Sequence, residues 1–201
     1  MPDIFDNDPA PVDAFNPGVT FDVGAWLGKH PFTRAHVIVR AVLDALKAEG
    51  VTTFGSLGYC YGGRLCFDLA FTGDVHVVAT SHPSMLQVPA DLEKYLAVAK
   101  APLLINSCEV DQQFPVASGE AADEILGDGK FAPGYSRTYW PGCVHGFAVR
   151  GDLVRDCCLL VRRMRMDVGL TKTHLRQSKP EVKAGKEGAF KASVEWLQKY
   201  L

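Results

Sequence analysis

Cys60 stands at the centre of Gly58-Tyr59-Cys60-Tyr61-Gly62-Gly63, a G-x-C-x-G stretch between a short apolar run and an amphipathic one. In a sharp strand-to-helix turn the central residue is forced into a strained backbone conformation, and small residues two before and two after let strand and helix approach. Such a turn presents a thiol at its tip, beside the positive N-terminal end of the following helix, which favours thiolate. The Tyr61 backbone N–H then points where an oxyanion would form. Alone, the stretch reads equally well as a glycine-rich turn holding a buried cysteine. Two further residues give it company: Asp111, in Cys108-Glu109-Val110-Asp111-Gln112-Gln113-Phe114-Pro115, and His145, in Pro141-Gly142-Cys143-Val144-His145-Gly146-Phe147. Singly these are a turn aspartate and a loop histidine. In the order nucleophile, acid, histidine they supply a thiol, a carboxylate to orient an imidazole, and the imidazole that manages the proton.

These residues need elements to position them, and hydrophobic periodicity supplies the elements. Thr52-Thr53-Phe54-Gly55-Ser56-Leu57 reads as a buried strand that leads through Gly58–Gly63 into a helix near Arg64–Phe71. The alternation repeats: strand Val75–Thr80 with a helix near Ala90–Ala99, strand Pro102–Ser107 with a helix near Pro115–Leu126, and strand Tyr135–Trp140 with a final helix near Val182–Tyr200. This alternation predicts an α/β fold with a parallel sheet of about four strands covered on both faces. Upstream, Thr33 is placed to cap a helix in which Val37, Ile38, Val42, Leu43 and Leu46 recur at three- and four-residue spacing until Gly50. Residues 1–31 are rich in Pro, Asp and Asn and read as irregular, with one helical turn near Ala25-Trp26-Leu27. Cys60, Asp111 and His145 each then follow the carboxyl end of a strand, the edge where open parallel sheets bind ligands.

The composition narrows the functional classes. With 21 basic against 23 acidic residues and a net charge of −2, the 201-residue chain has no basic field for nucleic acid or anionic lipid. No apolar run approaches the ~18 residues of a membrane span. The acidic, Pro-rich start lacks the pattern of a signal peptide, so a cytoplasmic protein is expected. The six cysteines include no C-x-x-C pair and read as reduced thiols, and Cys143 and His145 lack the second closely spaced ligand pair that zinc would need. Neither metal nor cofactor is expected.

The chain resembles the dienelactone hydrolase family of α/β-hydrolases, whose nucleophile is a cysteine. The resemblance is carried by GYCYGG around Cys60, by Ser81-His82-Pro83-Ser84 after the next strand, by Glu109–Pro115 with Asp111, and by VHGFAVRGD around His145. It implies a hydrolase of small esters or lactones with a catalytic Cys60-Asp111-His145 triad, a thioester acyl-enzyme and an oxyanion donor at the Tyr61 backbone N–H. Arg64 and Arg150 are candidates to bind a substrate carboxylate, and His82 to line the pocket; each reads otherwise as surface or packing.

The sequence departs from the family pattern in two places. Pro2-Asp3-Ile4-Phe5 is similar to the segment after the family's fourth strand, so an N-terminally truncated sheet is expected, without the family's second oxyanion amide or its nucleophile-regulating glutamate. The runner-up reading is therefore a catalytically impaired homologue acting as a binding or dimerising module, with a homodimer formed through the exposed sheet edge. Residues 1–201 are read as one domain with an atypical inserted segment at 154–177, which carries six basic and two acidic residues. It reads as a translated intron or a lineage-specific insertion.

Overall fold

Strands form where aliphatic and small residues run together without charge, and here four such runs lie side by side. In the computed structural model, which describes residues 1–11, 14, 18–150 and 180–201, these are β1 (Gly55–Tyr59), β2 (Val77–Ser81), β3 (Leu103–Val110) and β4 (Tyr135–Val144). They make one sheet in the order β1-β2-β3-β4, each neighbouring pair parallel. The helices are α1 (Val23–Lys29), α2 (Phe32–Ala48), α3 (Tyr61–Phe71), α4 (Ala90–Val98), α5 (Val116–Leu126) and α6 (Pro180–Tyr200). The segment at 154–177 lies outside the described residues.

The described chain divides into two compact units, Met1–Thr52 and Thr53–Leu201. In the first, the Asp22 carboxylate accepts from the Ala25 N–H at 2.8 Å and caps α1. Phe5, Trp26 and His30 stack their rings at 4.7–5.4 Å. α2 starts one residue before the expected cap: Pro31, extended at φ −66° and ψ 147°, takes the cap position, and its carbonyl accepts from Arg34 N–H at 2.9 Å. Thr33 is thus already inside the first turn.

The second unit holds the sheet. β2 is buried along its whole length and β3 from Leu103 to Cys108, as expected of strands covered on both faces. Phe67 of α3, Tyr95 of α4 and Phe131 meet edge to face at 5.0–5.4 Å and fill one layer. α6 packs on β2, β3 and β4, where Val182 and Ala189 join Cys108, Cys143 and Phe147 in a buried cluster. A satisfied polar rung crosses this core. Asn106 donates to Ser81 and Ser193 hydroxyls at 3.0 Å each and accepts from Thr138 at 2.7 Å, tying β2, β3, β4 and α6 together. β1 begins three residues later than the apolar run suggests, because pairing with β2 runs from Gly55↔Val77 to Tyr59↔Ser81.

β1 and β2 end together at Tyr59↔Ser81; Ser81 pairs in turn with Asn106 and Asn106 with Thr138, and β3 and β4 run on past a bulge to end together at Val110↔Val144. The turn after β1 is tight at Gly58, as its spacing predicts, but at Gly63 rather than Gly62 on the helix side. A Cβ at Gly58 would lie 2.4 Å from the Gly62 carbonyl oxygen, and one at Gly63 2.7 Å from Thr80 Oγ1 and Pro83 Cβ, whereas one at Gly62 meets nothing within 4 Å. Gly58 and Gly63 therefore set the strand–helix approach. Gly63→Ala should lower unfolding free energy by about 1–3 kcal/mol through overpacking, while Gly62→Ala should leave it unchanged or raise it by up to about 1 kcal/mol through helix propensity. Urea unfolding of the two variants checks this; equal losses would contradict the geometry.

Candidate active site

Four residues occupy the first position after each strand: Cys60 after β1, His82 after β2, Asp111 after β3 and His145 after β4. Because the strands are parallel, all four residues lie at the carboxyl edge of the sheet, where Asp111 and His82 both meet His145. Cys60 sits at φ 50° and ψ −115°, a conformation that non-glycine residues adopt only under constraint, at a cost of about 1–3 kcal/mol. The constraint is visible. Cys60 N–H donates to the Ser81 carbonyl at 3.3 Å, and the Cys60 carbonyl accepts from Gly63 N–H at 2.9 Å and Ser84 N–H at 3.0 Å.

His145 is held from two sides. Its backbone N–H donates to the Val110 carbonyl at 2.9 Å, and its Nδ1 lies 2.8 Å from Asp111 Oδ2. The other Asp111 oxygen accepts from Gln113 and Phe114 N–H at 2.8 and 3.0 Å, which fixes the carboxylate before the imidazole arrives. With Nδ1 committed to Asp111, Nε2 is left for the thiol.

The electrostatics follow from this arrangement. Burial would raise the Cys60 thiol, but hydrogen bonds from His145 and Ser84, the His145 charge and the Tyr61 backbone N–H together bring it below its ordinary value. Burial would likewise raise Asp111, yet the His145 hydrogen bond and charge and the two backbone donors hold it below the usual carboxylate range. For His145 burial opposes the charge and is outweighed by Asp111 and Cys60, so the imidazole is pushed up to about 9. The site thus favours a thiolate–imidazolium pair over a buried carboxylate.

His82 is completely buried at φ 40°, with its N–H donating to the Asn106 carbonyl at 2.8 Å. Its ring stands edge to face with His145 at 4.9 Å and with Phe147 at 5.5 Å. Neither ring nitrogen has a hydrogen-bond partner. Burial, aided by the His145 charge, pushes its pKa down to about 3, so it stays neutral beside an imidazolium. Arg150 stands nearby, its N–H on the Gly146 carbonyl at 2.9 Å and its charge opposing protonation of His82.

Arg64 is held elsewhere: its guanidinium lies 2.5 Å from Asp68 and 2.6 Å from Asp91. The carboxylates it meets are the chain's own, one from α3 itself and one from α4. Ser84 carries no signal in the sequence beyond its place in Ser81-His82-Pro83-Ser84, yet its Oγ lies 3.3 Å from Cys60 Sγ. Among the described residues no group of three or more His, Cys, Asp or Glu is placed to hold a metal ion. Nor is any described helix long and apolar enough to cross a membrane.

A parallel α/β sheet carrying a cysteine on a strained strand–helix elbow, with a histidine–aspartate pair at neighbouring strand ends, has the architecture of the α/β-hydrolases. The chain belongs to the dienelactone hydrolase family, whose model matches residues 2–201. It is 30% identical to hydrolase tropI of Talaromyces stipitatus over 210 aligned positions, covering all of this chain and 69% of that protein. It is 28% identical to hydrolase pyvD of Aspergillus violaceofuscus, again across the whole chain and 69% of the relative. Among solved structures, a Klebsiella pneumoniae protein described as a dienelactone hydrolase shares the fold with a TM-score of 0.59 at 12% identity, over 90% of this chain and 69% of that one. A dienelactone hydrolase-like promiscuous phosphotriesterase from metagenomic libraries aligns with a TM-score of 0.52 at 17% identity, over 89% of this chain and 65% of that one.

The His145–Asp111 pair has a pH signature. A histidine raised from 6.5 to about 9 contributes stability that is complete below pH 6.5 and is lost as the pH climbs towards 9. The depressed Asp111 contributes above its ordinary value of 3.8 and loses that contribution as the pH falls through its lower folded value. The melting-temperature advantage of the parent over Asp111→Asn should therefore peak at roughly pH 5–6 and shrink towards alkaline pH. An advantage that grows between neutral pH and pH 9 would contradict the ion pair.

Proposed function

We propose that this protein hydrolyses small ester or lactone substrates through a Cys60-His145-Asp111 triad, by way of a thioester acyl-enzyme. The observation that carries the reading is the buried Asp111–His145 contact of 2.8 Å behind a cysteine held at positive φ. His145 accepts the thiol proton, and the thiolate adds to the substrate carbonyl carbon, pushing an electron pair onto the oxygen. The Tyr61 backbone N–H faces that developing charge. Collapse breaks the C–O bond, and the leaving alkoxide or enolate takes the proton from His145. A water molecule, deprotonated by His145, then attacks the thioester; the thiolate departs and the acid is released. Thiolates expel amines poorly, so enol lactones and activated esters suit this site better than peptides. Arg150 completes the reading as a group facing the substrate, while His82 packs behind His145.

Cys60→Ala should lower aryl-ester or enol-lactone hydrolysis by at least ~10³-fold, and iodoacetamide should modify Cys60 before the other cysteines. Hydrolysis unchanged in Cys60→Ala would overturn the triad.

Self-association is the second part of the proposal. β1 forms one end of the sheet among the described residues, and its Leu57 side chain is exposed. Unpaired strand edges and exposed aliphatic groups favour pairing with a second copy. Sedimentation equilibrium should report a dimer whose dissociation Leu57→Lys promotes, and a monomer at all concentrations would refute it.

A further inference from the structure

Ser84 is the neighbour of the reactive sulfur that the triad leaves unexplained. It is buried, its backbone N–H is fixed on the Cys60 carbonyl at 3.0 Å, and its hydroxyl oxygen lies 3.3 Å from Cys60 Sγ. The short loop that delivers it is flanked by two residues at positive φ, His82 at 40° and Met85 at 63°. Strained backbone on both sides of a polar contact to a nucleophile shows that the surrounding structure over-determines the contact. A serine hydroxyl can rotate, so it can donate to a thiolate while its backbone amide stays where it is.

We propose that Ser84 is a catalytic residue whose hydroxyl donates a hydrogen bond to the Cys60 sulfur, holding the resting thiolate and releasing it as the C–S bond forms. This rests on the reading of Cys60 as the nucleophile. In the free enzyme the negative charge is on sulfur and the Ser84 hydrogen bond is charge-assisted. As the sulfur adds to the carbonyl carbon that charge moves to the substrate oxygen, towards the Tyr61 backbone N–H, and the Ser84 bond weakens. Ser84 therefore favours the ground-state thiolate and sets the pH at which it becomes available. Its effect is separable from the other groups around the sulfur: His145 with Asp111 behind it, the Tyr61 backbone N–H, neutral His82, and the Arg150 guanidinium that acts on His82.

The test is the pH dependence of iodoacetamide modification of Cys60, read by peptide mass spectrometry in the parent chain and in Ser84→Ala, Ser84→Gly and Ser84→Thr. Loss of a hydrogen bond to a charged group should move the Cys60 transition upward by about one pH unit, a roughly tenfold slower modification on the acid side. At pH above both transitions the variant thiolate, being more basic, should react as fast as the parent or faster. Ser84→Thr, which keeps the hydroxyl, should stay with the parent. A merely structural role would lower the alkaline plateau as well, and that result, or an unmoved transition in both Ser84→Ala and Ser84→Gly, would overturn the proposal. Failure of the nucleophile reading looks different, because hydrolysis would then survive in Cys60→Ala whatever the Ser84 variants do to alkylation.

Discussion

The backbone of Cys60 is the constraint around which the second unit is arranged. A residue at φ 50° returns to an ordinary conformation unless its amide and carbonyl are both pinned, and here Ser81, Gly63 and Ser84 pin them. Two of those three partners come from β2 and the loop after it, so the elbow is secured by the neighbouring strand and not by its own helix alone. Parallel pairing of β1 with β2, ending at Tyr59↔Ser81, is what brings the partners within reach. Thr80 adds a side-chain link, its hydroxyl donating to the Gly58 carbonyl at 3.0 Å. The close packing of Gly63 on Thr80 and Pro83 is the steric counterpart of the same anchoring.

Charge is managed by the same geometry. The Asp111 carboxylate is buried with its side chain only 1% exposed, which would be costly without partners, but two backbone donors and the imidazole satisfy it. His82, equally buried, has no such partner and remains neutral. Two imidazoles 4.9 Å apart thus carry different protonation states because only one faces a carboxylate. A second cation there would oppose the His145 imidazolium on which the proposed proton transfers depend.

Much of this was legible from the sequence, and its gaps have physical reasons. Alternating apolar runs and amphipathic helices identified four strands, and the ordered cysteine, aspartate and histidine pointed to the residues that the fold brings together. What periodicity cannot register is which of several glycines is under steric pressure, since Gly62 and Gly63 are identical in sequence terms and differ only in what the neighbouring loop puts beside them. Nor can it see long-range partners. Arg64 looked available for a substrate carboxylate because Asp91, which lies 27 positions away, meets it only after α4 packs on α3. Ser84 was hidden for the same reason: its contact with Cys60 spans 24 residues and exists only through the β1–β2 pairing.

The last residue of β2 and the loop after it therefore have more roles than their four-residue motif suggests. Ser81 accepts from the Cys60 amide, His82 packs against His145, Pro83 bears on Gly63, and Ser84 holds both the carbonyl and the sulfur of Cys60. In a triad formed only by side chains from β1, β3 and β4, the strand between the nucleophile and the acid would be a spacer. Here that strand and the loop after it supply the contacts that hold the elbow at positive φ and place a hydroxyl beside the thiol. Changes in this loop would therefore act on the proposed chemistry without altering Cys60, Asp111 or His145, by shifting the backbone and the hydrogen bonds that position the sulfur.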